Sequence, residues 1–97
     1  MAVTLRPIAL RDIDAIRDHS IESWGVETAV DYMTGLFDMF DLLAETPQIG
    51  RLRSETSPPV RLHPYRSHNI LYTDSGSGVE ILRILHSRRN WAILLED

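Results

Sequence analysis

Arg51, Arg53, Arg61, Arg66, Arg83, Arg88 and Arg89 crowd the second half of this 97-residue chain, and His63, Tyr65 and His86 are interleaved with them. A guanidinium is a rigid fork of donors suited to carboxylate, phosphate or an aromatic face. Gathered on one sheet surface, such a set would hold a phosphate and stabilise a phosphorane-like transition state, the chemistry of RNA cleavage. The competing reading pairs the same arginines with carboxylates. Residues 1–48 carry three Arg against nine acids, whereas residues 49–97 carry seven Arg against five. Lys is absent and the formal charge is −4, so a free nucleic-acid binder is not the expectation. A GC-rich coding sequence accounts for Arg over Lys but cannot cluster the arginines. Their partners are either the acids of the first half or an acidic protein.

Other chemistries have less to stand on. His63, His68 and His86 flank predicted strands and suit a zinc triad in type. No carboxylate lies at ligand spacing beside them, and two histidines around a turn arise readily by chance. No metal and no cofactor are expected. There is no Gly-x-Ser-x-Gly nucleophile elbow. Gly76-Ser-Gly78 lacks a following Lys and leads into a strand, so it reads as a hairpin turn and not a phosphate loop. Absence of cysteine excludes a disulfide scaffold, a thiolate metal site and a cysteine nucleophile, and fits a reducing compartment.

The elements that must position these residues can be read from periodicity. Val3–Pro7 is a short strand ended by proline. From Ala9 to Trp24 apolar residues recur at helical steps, with Gly25 as the stop. A second helix spans Val26–Glu45. Its polar stripe, Asp31, Thr34, Asp38, Asp41 and Glu45, is narrow, so the apolar arc is too wide for one neighbour and leaves surface for a partner. Pro47 closes the helical half, and Gln48–Pro59 reads as a loop. The period then switches to two over Val60–Arg66, Asn69–Thr73 and Val79–Leu85, the last two joined as a hairpin through Asp74–Gly78. Ile70 and Tyr72 oppose Leu71, and Ile81 and Leu85 oppose Leu82 and Ile84, so both sheet faces carry apolar residues. Two helices cover one face, which makes the other a candidate docking surface. A short apolar tail, 91–95, follows.

This length predicts a single α+β domain over residues 1–97: two N-terminal helices packed on an antiparallel β-sheet in the order β-α-α-β-β-β. The apolar tail, 91–95, is too short to span a membrane. The opening residues have neither the charged nor the apolar region of a signal peptide. A cytoplasmic protein is expected.

The order of motifs resembles that of ParE-type toxins of the RelE/ParE superfamily of type II toxin–antitoxin systems. In the second half the likeness rests on Tyr65-Arg-Ser-His68-Asn-Ile-Leu-Tyr72 and Val79-Glu-Ile-Leu-Arg83-Ile-Leu-His86-Ser-Arg-Arg-Asn-Trp91. In the first half it rests on Ala9–Ile16, Trp24-Gly25, Ala29, Tyr32 and Leu43–Arg51. The resemblance implies a non-enzymatic toxin that inhibits DNA gyrase by protein contact. It also implies a ParD-like antitoxin partner in a heterotetramer or larger assembly, with DNA met only through antitoxin or gyrase. Tyr32, Met39, Arg51, Arg53, Arg61 and Arg83 would meet the antitoxin, and His86, Arg88, Arg89 and Trp91 the gyrase. Two alternatives stay open. One is a RelE-like, ribosome-dependent endoribonuclease using His86, Arg61 and Arg83. The other is an interaction module without toxicity.

Overall fold

The computed structural model describes residues 2–89. Strand β1 (Ala2–Leu5) leads into helix α1 (Pro7–Trp24) and helix α2 (Val26–Glu45). A 3-10 turn at Pro47–Ile49 precedes β2 (Arg51–Arg53), β3 (Val60–Tyr65), β4 (His68–Asp74) and β5 (Gly78–His86). Pro7 occupies the first turn of α1, where its missing N–H would have had no helical partner anyway. Between the helices Gly25 sits at φ 91° and donates its N–H to the Ile21 carbonyl. A side chain there would be strained, which is why the stop is glycine.

The sheet order is β1-β5-β4-β3-β2. Both expected helices and the strands of the second half are present, and the fold is α+β. Two features differ from the sequence reading. The β1 strand pairs with β5 in parallel, Ala2 opposite Gly78 and Leu5 opposite Ile81, so the sheet is mixed and not purely antiparallel. Both helices intervene between β1 and the strands of the second half, and a crossover of that length can return the chain in parallel. Within Gln48–Pro59, Arg51–Arg53 forms an edge strand on β3, where a loop was expected. Three residues are too few to show a period of two. Pro64 lies beyond the reach of β2, which pairs only with Val60–Leu62, so its missing N–H interrupts no ladder on that side.

A register shift at Leu71/Tyr72 sets the faces of β5. Leu71 opposes Arg83 and Tyr72 opposes Ile81, leaving Leu82 as the extra residue of a bulge. Ile81 and Ile84 therefore join Val79, Ile70 and Tyr72 beneath the helices, packed on Ile13, Ile16, Leu36, Phe40 and Leu43. Leu82 and Leu85 turn to the opposite face with Val60 and Leu71. Simple alternation had paired Ile81 with Leu85. The second face was expected to be an open docking surface, but these four residues are buried. Most of the open apolar area lies on the helices, with Leu52 of β2 exposed as well. Trp24 and Val26 are each 63% exposed and Val30 is 57% exposed.

Two tyrosines tie the helical layer to the sheet. The Tyr72 hydroxyl donates to the Pro47 carbonyl at 2.6 Å and accepts the Gly50 N–H at 2.9 Å. The Tyr65 hydroxyl donates to the Tyr32 carbonyl at 2.8 Å. A Cβ on Gly50 would run into the Tyr72 hydroxyl, and one on Gly35 into that of Tyr65.

Candidate functional site

The predicted site residues fall into three groups. At the β2–β3 edge, Arg51 is exposed, Arg53 is ion-paired with Glu55, and Arg61 donates to the Gly50 carbonyl at 2.9 Å. The hydrogen bond from Arg53 lowers the Glu55 carboxyl below its ordinary range. Arg83 does not belong with this edge. Its Nε and one terminal nitrogen donate to the two oxygens of Asp12 at 2.8 and 2.9 Å. Their side chains are only 14% and 13% exposed. The same carboxylate accepts the Ile84 N–H at 3.0 Å. Pairing with β1 stops at Ile81, so Asp12 caps the part of β5 that β1 leaves bare. The fork expected to meet a partner's carboxylate meets one from this chain.

Tyr32 and Met39, on α2, are half-buried and packed against the core. Tyr32 stands edge to face with Tyr65 at 5.1 Å, and the Arg66 guanidinium lies 5.6 Å from its ring centre. Arg66, at φ 52°, turns the chain from β3 into β4.

The third group surrounds the far ends of β4 and β5. His68 and His86 are register partners with ring centres 5.5 Å apart. The Tyr32 Oη lies 2.6 Å from His68 Nδ1. His86 Nδ1 accepts the Arg88 N–H at 3.2 Å, and Arg89 donates its N–H to the His86 carbonyl at 2.9 Å, forming a tight turn past the strand. Arg88 and Arg89 are exposed on it; Trp91 lies outside the described residues. Tyr32, His68, His86 and Arg89 line a pocket of about 320 Å³ with Asp12, Arg83, His19 and Trp24. His19 was not singled out from sequence. Its seven-residue spacing from Asp12, with Ile16 between, is the signal that puts it on the same helix face. His63 stays apart. It sits opposite Ile70, and its buried Nδ1 has no hydrogen-bond partner among the described residues.

Burial lowers the titration point of His68, the positive charge available to His86 and His19 lowers it further, and Asp12 opposes both. Burial also raises the Tyr32 phenol. Among the described residues no three His, Cys, Asp or Glu side chains are grouped to hold a metal ion. Of the residues named for RNA cleavage, His86 and Arg83 share this pocket, but Arg61 does not join them. His86 is level with Tyr65, and Arg61 lies four residues along β3, about 13 Å away at strand rise.

A second concavity, of about 240 Å³, opens on the outer side of the hairpin between α1 and α2. Ile21, Val26, Val30, Met33 and Phe37 line it, with Arg17 at its border. Its walls are apolar and carry no acid. A concavity with these walls is shaped to accept an apolar helix face.

Two helices on a mixed five-stranded sheet, with an apolar helical groove and separated basic groups, define a small domain of the α+β class. Residues 3–91 match the family described as the ParE toxin of type II toxin–antitoxin systems, parDE. Toxin ParE1 of Mycobacterium tuberculosis H37Rv is 34% identical over 85 residues, 87% of each chain. Toxin ParE3 of Caulobacter vibrioides is 32% identical over 93 residues, 96% of this chain and 92% of the relative. The fold is similar to a solved structure of the chromosomal ParDE toxin–antitoxin system from P. aeruginosa. That match has a TM-score of 0.74 and 25% identity, over 89% of this chain and 95% of that one. This chain belongs to the ParE toxin family.

Proposed function

We propose that this toxin inhibits DNA gyrase by protein contact, without covalent chemistry of its own, and that a ParD-like antitoxin neutralises it by docking on the α1–α2 hairpin. The observation that carries the reading is the unpartnered apolar groove of Ile21, Val26, Val30 and Phe37. An amphipathic antitoxin helix would bury it. Arg51, Arg53 and Arg61 would meet antitoxin carboxylates at the β2–β3 edge, alongside Tyr32 and Met39. Arg83 is left out, because Asp12 holds it with both side chains largely buried. His86, Arg88, Arg89 and Trp91 are assigned to the gyrase contact, exposed arginine and an aromatic anchor being the residue types enriched at hot spots. No described helix is long and apolar enough to cross a membrane, and the site of action is assigned to the cytoplasm.

The test follows DNA supercoiling and trapped cleaved DNA in purified gyrase, while ribosome-bound mRNA is checked for new 5′ ends. Trapped DNA with intact mRNA is expected, and the Arg88→Ala/Trp91→Ala double variant should fold yet lose the effect. Cut mRNA with unaffected gyrase would replace this reading with the nuclease one. The antitoxin assignment is checked separately, by the mass of the co-purified complex in light scattering, where a heterotetramer or larger is expected.

A further inference from the structure

The pocket at the ends of β4 and β5 is separate from the helical groove, and its polar atoms point to a ligand. His86 Nδ1 accepts a backbone N–H from Arg88, so in the neutral ring the proton sits on Nε2. His68 Nδ1 has two hydroxyls beside it, Tyr32 Oη at 2.6 Å and Ser67 Oγ at 3.4 Å. A phenol donates more readily than it accepts, so His68 too carries its proton on Nε2. Two imidazoles with centres 5.5 Å apart thus each hold an Nε2–H donor. Neither can accept from the other, and among the described residues no acceptor is bonded to either.

Charge adds to this. Asp12 and Arg83 neutralise one another, and the lining has no second carboxylate, so Arg89 leaves the pocket net positive. Ala15, Ile16, Ile84 and Leu85 supply an apolar wall, and the Trp24 ring, edge to face with His19 at 6.0 Å, supplies an aromatic one. A volume of about 320 Å³ suits a small organic molecule and exceeds what a bare ion needs.

We propose that this pocket binds a small organic anion, a carboxylate or phosphomonoester carried on an apolar or aromatic body. The anionic head would accept from His68 Nε2 and His86 Nε2 beside the Arg89 guanidinium, with the body against Ile16 and Trp24. The proposal is independent of which macromolecule the toxin attacks, since binding is read on the toxin itself.

The experiment titrates the full chain with benzoate and phenyl phosphate, and in parallel with acetate and inorganic phosphate, following the histidine ring signals by NMR. Saturable shifts at His68 and His86 are expected, with the aromatic anions about tenfold or more tighter than the bare ones. The same titration should show His68 taking up a proton more readily when phenyl phosphate is bound. A negative charge beside it offsets the burial and the His19 and His86 charges that hold it neutral, adding to Asp12. Arg89→Ala and His86→Ala, both at exposed positions, should weaken binding about tenfold with unchanged thermal melting. Absence of saturation, equal affinity for acetate and benzoate, or unaltered binding in both variants would each overturn the proposal.

Discussion

The inner face of α1 near Asp12 and the outer face of the α1–α2 hairpin are finished in opposite ways. At Asp12 the polar groups are joined within this chain: two guanidinium nitrogens and one backbone N–H converge on a single carboxylate, and the Asp12 and Arg83 side chains are largely out of water. On the hairpin the groups without partners are apolar, and Val26, Val30 and Phe37 face solvent. The free energy still to be gained therefore lies on the hairpin, where covering apolar surface is worth about 25 cal/mol per Å². The Asp12 carboxylate itself could only exchange bonds it has already made. Charge content alone would have ranked the two regions the other way.

The largest effect should come from breaking the closed region. Asp12→Ala leaves Arg83 buried without a counter-charge and the Ile84 N–H without its acceptor. A loss of about 3–5 kcal/mol is expected, read as a lower urea midpoint. Asp12→Leu with Arg83→Met should lose much less, because no charge is then stranded. If the single variant matched the wild type, the pair would be an exposed contact and Arg83 would return to the antitoxin-facing set.

Opening the comparison from the other side, Val26→Gln with Val30→Gln should leave stability within about 0.5 kcal/mol while costing antitoxin binding about 2–4 kcal/mol. Calorimetry against the antitoxin peptide separates these quantities, and undiminished affinity would move the docking surface off the hairpin. Tyr72→Phe is smaller again. It removes the bonds to the Pro47 carbonyl and the Gly50 N–H but keeps the ring, so about 1–2 kcal/mol of stability is expected to go, with binding at the groove unaltered.

Periodicity located α1, α2, β3, β4 and β5 because each is long enough to repeat, and because Gly25 and Pro47 mark where the chain must turn. It could not find Arg51–Arg53, whose three residues become a strand only by pairing with β3. Nor could it place Leu82, since a bulge changes the phase of β5 without changing its composition. The groove was legible as an apolar arc wider than one neighbour could cover. The Asp12–Arg83 pair was legible only in kind, as an arginine of the second half against an acid of the first, because the two residues are 71 apart and nothing local joins them. His68 and His86 were noticed together, but the third histidine by the pocket is His19 and not His63, a choice made by the crossing of α1 over β5.

The smallest effect concerns pH, and it bears on the polar side of the comparison. His68 is held below the ordinary imidazole value of 6.5 chiefly by burial, with His86 and His19 adding to the shift and Asp12 resisting it. As pH falls through 6.5 the unfolded chain binds a proton at this residue before the folded one does, so folded stability decreases with acidification until the lowered titration point is passed. Urea melts at pH 7.5, 6.5 and 5.5 should therefore show a decline that is shallower in His68→Gln, which cannot titrate but keeps an acceptor near Tyr32 Oη. Equal slopes would mean that His68 is as well solvated folded as unfolded. The pocket would then be open to water at its inner end, and the polar closure around Asp12 would stop short of Tyr32.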